Sequence, residues 1–116
     1  MNLGINTMKG LLFSLLLLFS SHVFADYINV TGNIKLINNW EGHNGHLIKL
    51  SDMSLTNGLC ERNDHYILHK NHMFLKENFS MLLTARVSGM PVTIRFSDSA
   101  SNKCEDKFPR IFHIQL

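Results

Sequence analysis

The chain has 116 residues, with 11 Lys and Arg against 9 Asp and Glu, which gives a formal net charge of +2. Without Lys9, which lies in the N-terminal segment, the chain has ten basic residues against nine acidic ones, and it contains no run of basic residues. This balance argues against nucleic acid or an anionic membrane as a partner, because both select clustered Lys and Arg.

Residues 1–25 have the pattern of a secretory signal peptide. Lys9 supplies a positive charge, residues 10–19 form a short apolar segment, and residues 23–25 end in the small residue Ala25. The apolar run is well short of the roughly 20 residues that a membrane-spanning helix needs. We therefore expect cleavage after Ala25, one domain over residues 26–116, and a secreted or periplasmic protein without a membrane span.

Cys60 and Cys104 are the only cysteines of the chain. In an oxidising compartment they allow one intramolecular disulfide, which closes a loop of about 45 residues and contributes roughly 3–4 kcal/mol to stability. Because the chain contains no C-x-x-C motif, we expect this disulfide to be structural, with no redox or metal-binding role.

The first half of the secreted domain alternates polar and apolar residues, as strands do. The pattern predicts strands at residues 27–36, 46–51 and 64–70, with a turn at 38–45 and a loop at 52–63 that holds Cys60. In the first strand the residues expected to face inward are Ile28, Val30, Ile34 and Leu36. Gly32 lies on the same face, and we expect a bend there.

The second half of the domain begins with a change of period. Over residues 77–87 the spacing i, i+3, i+4, i+7 predicts one short amphipathic helix, through Phe79, Leu82, Leu83 and Arg86. Asn78 or a near neighbour is expected to cap its start, and Gly89 to end it before Pro91. Alternation then returns and predicts two further strands, at residues 92–97 and 110–116.

The resulting order, β-β-β-α-β-β, predicts a mainly β protein with one α-helix, arranged as a small five-stranded OB-like barrel. In that topology the third and fifth strands are parallel neighbours. Cys60 precedes the third strand and Cys104 the fifth, so a disulfide between them is geometrically sensible. The alternative is an unclosed sheet with one helix packed across it.

The sequence shows no recognisable metal or catalytic motif. His65 and His69 would lie about 13 Å apart on one face of a strand, too far to bind one metal ion together, and no H-E-x-x-H motif is present. The chain has no G-x-S-x-G motif and no converging pair of carboxylates. We therefore expect a protein that is not an enzyme and that binds no metal or cofactor.

The first interstrand loop is the strongest candidate for a recognition surface. It combines one aromatic plane with several amide and carboxylate groups, a mixture that suits a sugar, and OB-folds bind oligosaccharides through such loops. The candidate ligand-binding residues are Asn39, Trp40, Glu41, Asn44 and, on the third strand, Tyr66. Two alternatives remain open: Trp40 closes the end of the barrel, and Tyr66 packs in the core.

The segment from Met81 to Phe96, MLLTARVSGMPVTIRF, is followed by Cys104 and a terminal strand. Together with the predicted signal peptide and OB-like domain, it resembles the binding subunits of AB-type bacterial toxins, in particular the subtilase-cytotoxin and typhoid-toxin-like group. The resemblance implies a ring of five identical subunits that binds cell-surface glycans and carries a separate catalytic subunit. In such rings the helix lines the central pore and neighbouring subunits pair the edges of their strands.

These patterns lead to two expectations for function. The first is a secreted glycan-binding module, similar to a toxin binding subunit, in which repetition makes weak individual sites effective. The alternative is a periplasmic protein-binding or inhibitor protein that acts as a monomer or dimer through the barrel face.

Overall fold

Two three-stranded antiparallel sheets, a short hairpin and one α-helix form the fold of residues 26–116, the residues that the computed structural model describes. The strands are β1 (Tyr27–Gly32), β2 (Ile34–Asn38), β3 (Gly45–Leu50), β4 (Tyr66–His69), β5 (Val92–Ser97), β6 (Cys104–Glu105), β7 (Phe108–Pro109) and β8 (Ile111–Gln115). The helix α1 spans Leu75–Ser88, and a 3₁₀ turn spans Ser54–Thr56. The protein is therefore mainly β with one α-helix, as predicted, whereas the predicted signal peptide lies outside the described residues.

The strands follow the predicted OB-like order. Strands β1 and β2 are the two halves of the predicted first strand, and they part next to Gly32, where a bend was expected. The first half pairs with β5 in the sheet β1-β5-β8, and the second pairs with β3 in the sheet β2-β3-β4. A single parallel bridge between Ile67 and Arg110 connects β4 to the start of β8. The predicted third and fifth strands are thus parallel neighbours at this one point. Elsewhere they belong to different sheets.

One inward position of the first strand was predicted wrongly. The register of β2 against β3 shifts between Ile34, which lies opposite Leu50, and Leu36, which lies opposite Lys49. An extra residue in one strand reverses the faces of the residues that follow it. As a result Leu36 is exposed, and Ile37 packs against the core in its place.

The sequence predicted the C-terminal end of α1 correctly but not its N-terminal cap. Gly89 ends the helix in the left-handed conformation, with φ of 71°, and its N–H donates to the carbonyl of Ala85. This confirms the predicted stop, since glycine adopts that conformation without steric cost. At the other end Phe74 precedes the helix without a capping side chain, and the predicted cap, Asn78, is a buried residue of the first turn.

The main core fills the space between the two sheets and α1. Its buried members are Val30, Ile34, Ile48, Leu50, Tyr66, Leu68, Leu82, Ala85, Val92, Ile94, Phe96, Ile111 and Ile114. Leu83, which the periodicity placed on the apolar stripe of the helix, is exposed. A smaller cluster lies on the other face of β3 and β4, where Leu47 and Ile67 pack with Phe108 of the β6–β7 hairpin. These two strands are therefore covered on both faces.

The predicted disulfide between Cys60 and Cys104 is present, with a Cα–Cα distance of 5.9 Å. It fastens the loop at 52–63 to the β6–β7 hairpin, beside the smaller cluster.

No helix within residues 26–116 is long and apolar enough to span a membrane.

Candidate functional site

Three of the predicted binding residues line one open depression of about 390 Å³ beside the β2–β3 turn. These are Asn39, Trp40 and Glu41, and they are joined there by His43, Gly45, His46, Lys70 and Leu75. We call this depression the Trp40 pocket. The Trp40 side chain is 57% exposed, so it does not fill the end of the barrel as the alternative interpretation held.

Two glycines shape the turn that presents Trp40. The His43 N–H donates to the Trp40 carbonyl at 3.3 Å, and Gly42 between them has φ of 97°, a conformation that favours glycine. Gly45 lies so close to β4 that an added Cβ would be 2.8 Å from the Leu68 carbonyl carbon and would overlap the carbonyl oxygen. The pocket therefore depends on a tight turn and on a close approach of the β3 and β4 backbones.

His46 forms the wall of the pocket next to α1. Its ring stacks on Phe79 with 3.9 Å between centroids, and its Nδ1 lies 2.6 Å from Asn39 Oδ1. Because an amide oxygen accepts, Nδ1 carries the ring proton, which leaves Nε2 as an acceptor. Burial lowers the pKa of His46 below its usual 6.5, so the ring is neutral at pH 7. His46 thus offers a hydrogen-bond acceptor to a ligand.

His43 supports the indole ring of Trp40. The two rings are nearly parallel, at 18°, with centroids 6.1 Å apart. His43 also makes an edge-to-face contact with Phe108, with 5.4 Å between ring centroids, and its Nδ1 lies 3.8 Å from the Asp106 carboxylate. Trp40 is therefore connected through His43 to the smaller core cluster and the β6–β7 hairpin.

Asn44, predicted as a binding residue, instead fastens the turn to the β6–β7 hairpin. Its backbone N–H donates to Asp106 Oδ2 at 2.6 Å, and its Nδ2 donates to Asp106 Oδ1 at 2.9 Å. Asp106 has φ of 50°, in the left-handed region that Asp tolerates better than most residues. Sequence reasoning missed Asp106, because 62 positions separate the partners and no local pattern connects them.

Tyr66 is a core residue and does not reach the pocket, which settles the alternative left open for it. Its side chain is fully buried, and its ring packs against Phe96 with 4.5 Å between centroids. Its hydroxyl lies 2.8 Å from the Thr56 hydroxyl, and burial raises the pKa of Tyr66 above its usual 10. The buried hydroxyl is thus satisfied inside the protein.

Opposite charges lie on two sides of the pocket. Glu41 comes from the turn, whereas Lys70 follows β4 and is placed there by its N–H, which donates to the Asn44 carbonyl at 2.8 Å. Neither side chain forms an ion pair with another residue in the described part of the chain. Lys70 was missed because only the pairing of β3 with β4 places it near the turn.

Two histidines outside the pocket each pair with one carboxylate. His65 Nδ1 lies 3.1 Å from Asp64, and His69 Nε2 lies 3.3 Å from Glu105. Over residues 26–116 no three His, Cys, Asp or Glu side chains converge in a way that could hold a metal ion.

Comparison of the chain with protein-family models, with curated proteins and with solved structures found no match. The toxin-subunit resemblance thus stays a prediction from the sequence.

Proposed function

We propose that the protein is a secreted glycan-binding module and that the Trp40 pocket is its sugar site. The observation that carries this proposal is the 57% exposure of Trp40 within a depression bordered by polar side chains. The apolar face of a sugar ring stacks on an aromatic plane, while its hydroxyl groups form hydrogen bonds at the edges of the ring. An indole surrounded by hydrogen-bonding groups fits both requirements.

The polar groups of the pocket divide into donors and acceptors. Glu41 and the neutral His46 ring accept hydrogen bonds, and Lys70 donates them. The amide of Asn39 holds His46 in place through the 2.6 Å contact. Because one acidic and one basic side chain balance each other here, the pocket favours the hydroxyl groups of a neutral sugar over a strongly charged ligand.

The shallow shape of the pocket fits a binding mode with many weak sites. We propose that the subunits form a ring of five, as in the toxin subunits that the sequence resembles, and that repetition supplies the avidity. A separate catalytic subunit carried by the ring belongs to the same proposal. The disulfide supports an oxidising compartment, secreted or periplasmic, as the place where the protein acts.

The test of the sugar site uses the only tryptophan of the chain as its reporter. A glycan array identifies ligands, and titration of the wild-type protein then follows Trp40 fluorescence. We expect Trp40→Ala to abolish array binding. Leu55→Ala, which removes an exposed apolar side chain from the 3₁₀ turn, should preserve it. The proposal fails if no glycan binds, or if Trp40→Ala binds as well as the wild type does.

The assembly is tested separately, by light scattering of the oxidised protein behind a sizing column at several concentrations. A mass of five subunits supports the ring. A monomer or dimer would favour the alternative, a periplasmic protein-binding or inhibitor protein, for which the exposed apolar side chains of Met73, Phe74 and Phe112 are the supporting observation.

A further inference from the structure

A second cavity, of about 450 Å³, lies between the start of α1 and strand β8. Three of its apolar lining residues are exposed: Met73 by 85%, Phe74 by 55% and Phe112 by 46%. Ile111 and Ile114, which also line it, are buried in the core. The volume is within the range of about 300–1,000 Å³ typical of small-molecule sites. We call it the β8 cavity, and it shares no lining residue with the Trp40 pocket.

His72 fixes the two sides of the β8 cavity relative to each other. The Phe74 N–H donates to His72 Nδ1 at 3.0 Å, which places the ring proton on Nε2. Nε2 lies 3.0 Å from the Phe112 carbonyl oxygen, to which it donates. The segment that enters α1 is therefore tied to β8, and the cavity is formed before any ligand arrives.

Asn102 lines the same cavity, and its side chain holds an unsatisfied acceptor. Asn102 Oδ1 is buried without a hydrogen-bond partner, and it is the one such side-chain atom among residues 26–116. A buried polar atom left unpaired destabilises the folded protein. The Asn102 backbone is held by its N–H, which donates to the Ser99 carbonyl at 3.1 Å. Rotation of the Asn102 side chain toward the cavity would let a ligand N–H group reach Oδ1 and satisfy it.

Arg110 supplies the positive charge of the cavity. Its backbone N–H donates to the Lys103 carbonyl at 3.0 Å, which fixes it beside the turn that carries Asn102. Within the described part of the chain, its guanidinium group forms no ion pair. A guanidinium without a carboxylate partner is suited to binding a ligand carboxylate through two parallel hydrogen bonds.

From these three features we propose that the β8 cavity binds an N-acylated apolar amino acid. Its carboxylate pairs with Arg110, its amide N–H donates to Asn102 Oδ1, and its side chain lies among the apolar residues of the cavity. The same chemistry occurs at the C-terminus of a peptide that ends in an apolar residue. The two sources differ only in the chain beyond the acyl group, and the experiment separates them.

Calorimetric titration of the oxidised wild-type protein with N-acetyl-leucine tests the chemistry directly. N-acetyl-leucine amide lacks the carboxylate, and N-acetyl-N-methyl-leucine lacks the N–H donor. We expect each analogue to bind about tenfold or more weakly, which is the usual effect of losing one buried polar contact. A tripeptide ending in leucine that binds more tightly than N-acetyl-leucine would identify a peptide C-terminus as the ligand, whereas equal or weaker binding would identify the free amino acid derivative.

Variants then assign the contacts. Arg110→Gln should remove the preference for the carboxylate, and Asn102→Ala should remove the preference for the N–H group. Arg86→Gln, which changes an exposed arginine at the end of α1, is the matched control and should leave both preferences unchanged. The proposal is overturned if N-acetyl-leucine does not bind at millimolar concentration, or if the wild type binds all three compounds equally. Because the analogues are tested on the wild type, the test does not depend on the folding of any variant.

Discussion

Replacement of Asp106 by alanine tests whether the β6–β7 hairpin holds the turn of the Trp40 pocket. The Asp106 carboxylate accepts two hydrogen bonds from Asn44, at 2.6 and 2.9 Å, and both are partly buried. Hydrogen bonds to a charged group contribute about 1.5–3 kcal/mol each, and water reaching the freed N–H groups recovers part of that. We therefore expect Asp106→Ala to lower the free energy of unfolding by about 2 kcal/mol. For a domain of this size such a loss corresponds to a fall in Tm of about 8–16 °C.

Thermal unfolding followed by circular dichroism measures the stability, and the emission of Trp40 at low temperature reports on the turn. Asp106→Asn keeps one carbonyl oxygen and suits the left-handed backbone, so its loss should be about half as large. Asp52→Ala is the matched control, because that carboxylate accepts hydrogen bonds only from the nearby Ser54 in an exposed loop. It should change Tm by less than about 3 °C.

We expect Asp106→Ala also to weaken glycan binding, since Asn44 and His43 would no longer be held against the hairpin. A variant that melts within about 2 °C of the wild type and keeps its Trp40 emission spectrum would contradict this expectation. That outcome would mean that the turn is positioned by its own glycines and by β3–β4 pairing alone.

Three further predictions concern the disulfide, a glycine and a histidine. Replacing Cys60 and Cys104 by serine opens a loop with a sequence separation of 44 residues. The replacement should lower the free energy of unfolding by about 4 kcal/mol, measured by urea unfolding. As a control, wild-type protein with its disulfide reduced should unfold at the same urea concentration as the variant. Gly45→Ala forces the β3 and β4 backbones apart and should cost about 2 kcal/mol or more in the same assay, whereas Gly32→Ala, whose Cβ has its nearest neighbour at 3.6 Å, should be tolerated. Because the folded-state pKa of His46 lies below 6.5, its contribution to stability is complete above that pH and is lost as the pH falls from 6.5 through the lowered value. Urea unfolding at pH 7.5 and pH 5 should show this loss in the wild type and a smaller one in His46→Asn.

Local patterns predicted most of the elements of secondary structure. Alternation located the strands, the period change located the helix, and Gly89 marked its end through a backbone conformation that glycine adopts at no steric cost. The cysteine pairing followed from number alone, since two cysteines allow one intramolecular disulfide. Each of these features depends on residues near in sequence or on simple counting.

The faces of particular residues were less predictable. Leu36 points outward because the register of β2 against β3 shifts by one residue, and a register is a property of two paired strands. Likewise Leu83 is exposed because the packing of α1 against the sheets selects which side of the helix is buried. Neither choice can be read from the segment itself.

The residues of the binding site also divide into those that the sequence predicted and those that only the structure identified. The turn residues Asn39, Trp40 and Glu41 were found from sequence, because one short segment carries both the aromatic ring and the polar groups. Only the tertiary structure added Lys70 across the sheet and assigned Asn44 to Asp106, since contacts between distant segments depend on strand pairing and packing. Local sequence patterns were sufficient for most of the elements and for the chemistry of the turn, and the number of cysteines was sufficient for the disulfide, whereas the β6–β7 hairpin was not predicted. The tertiary structure decided which of those side chains meet, because burial and long-range hydrogen bonds exist only once the sheets have assembled.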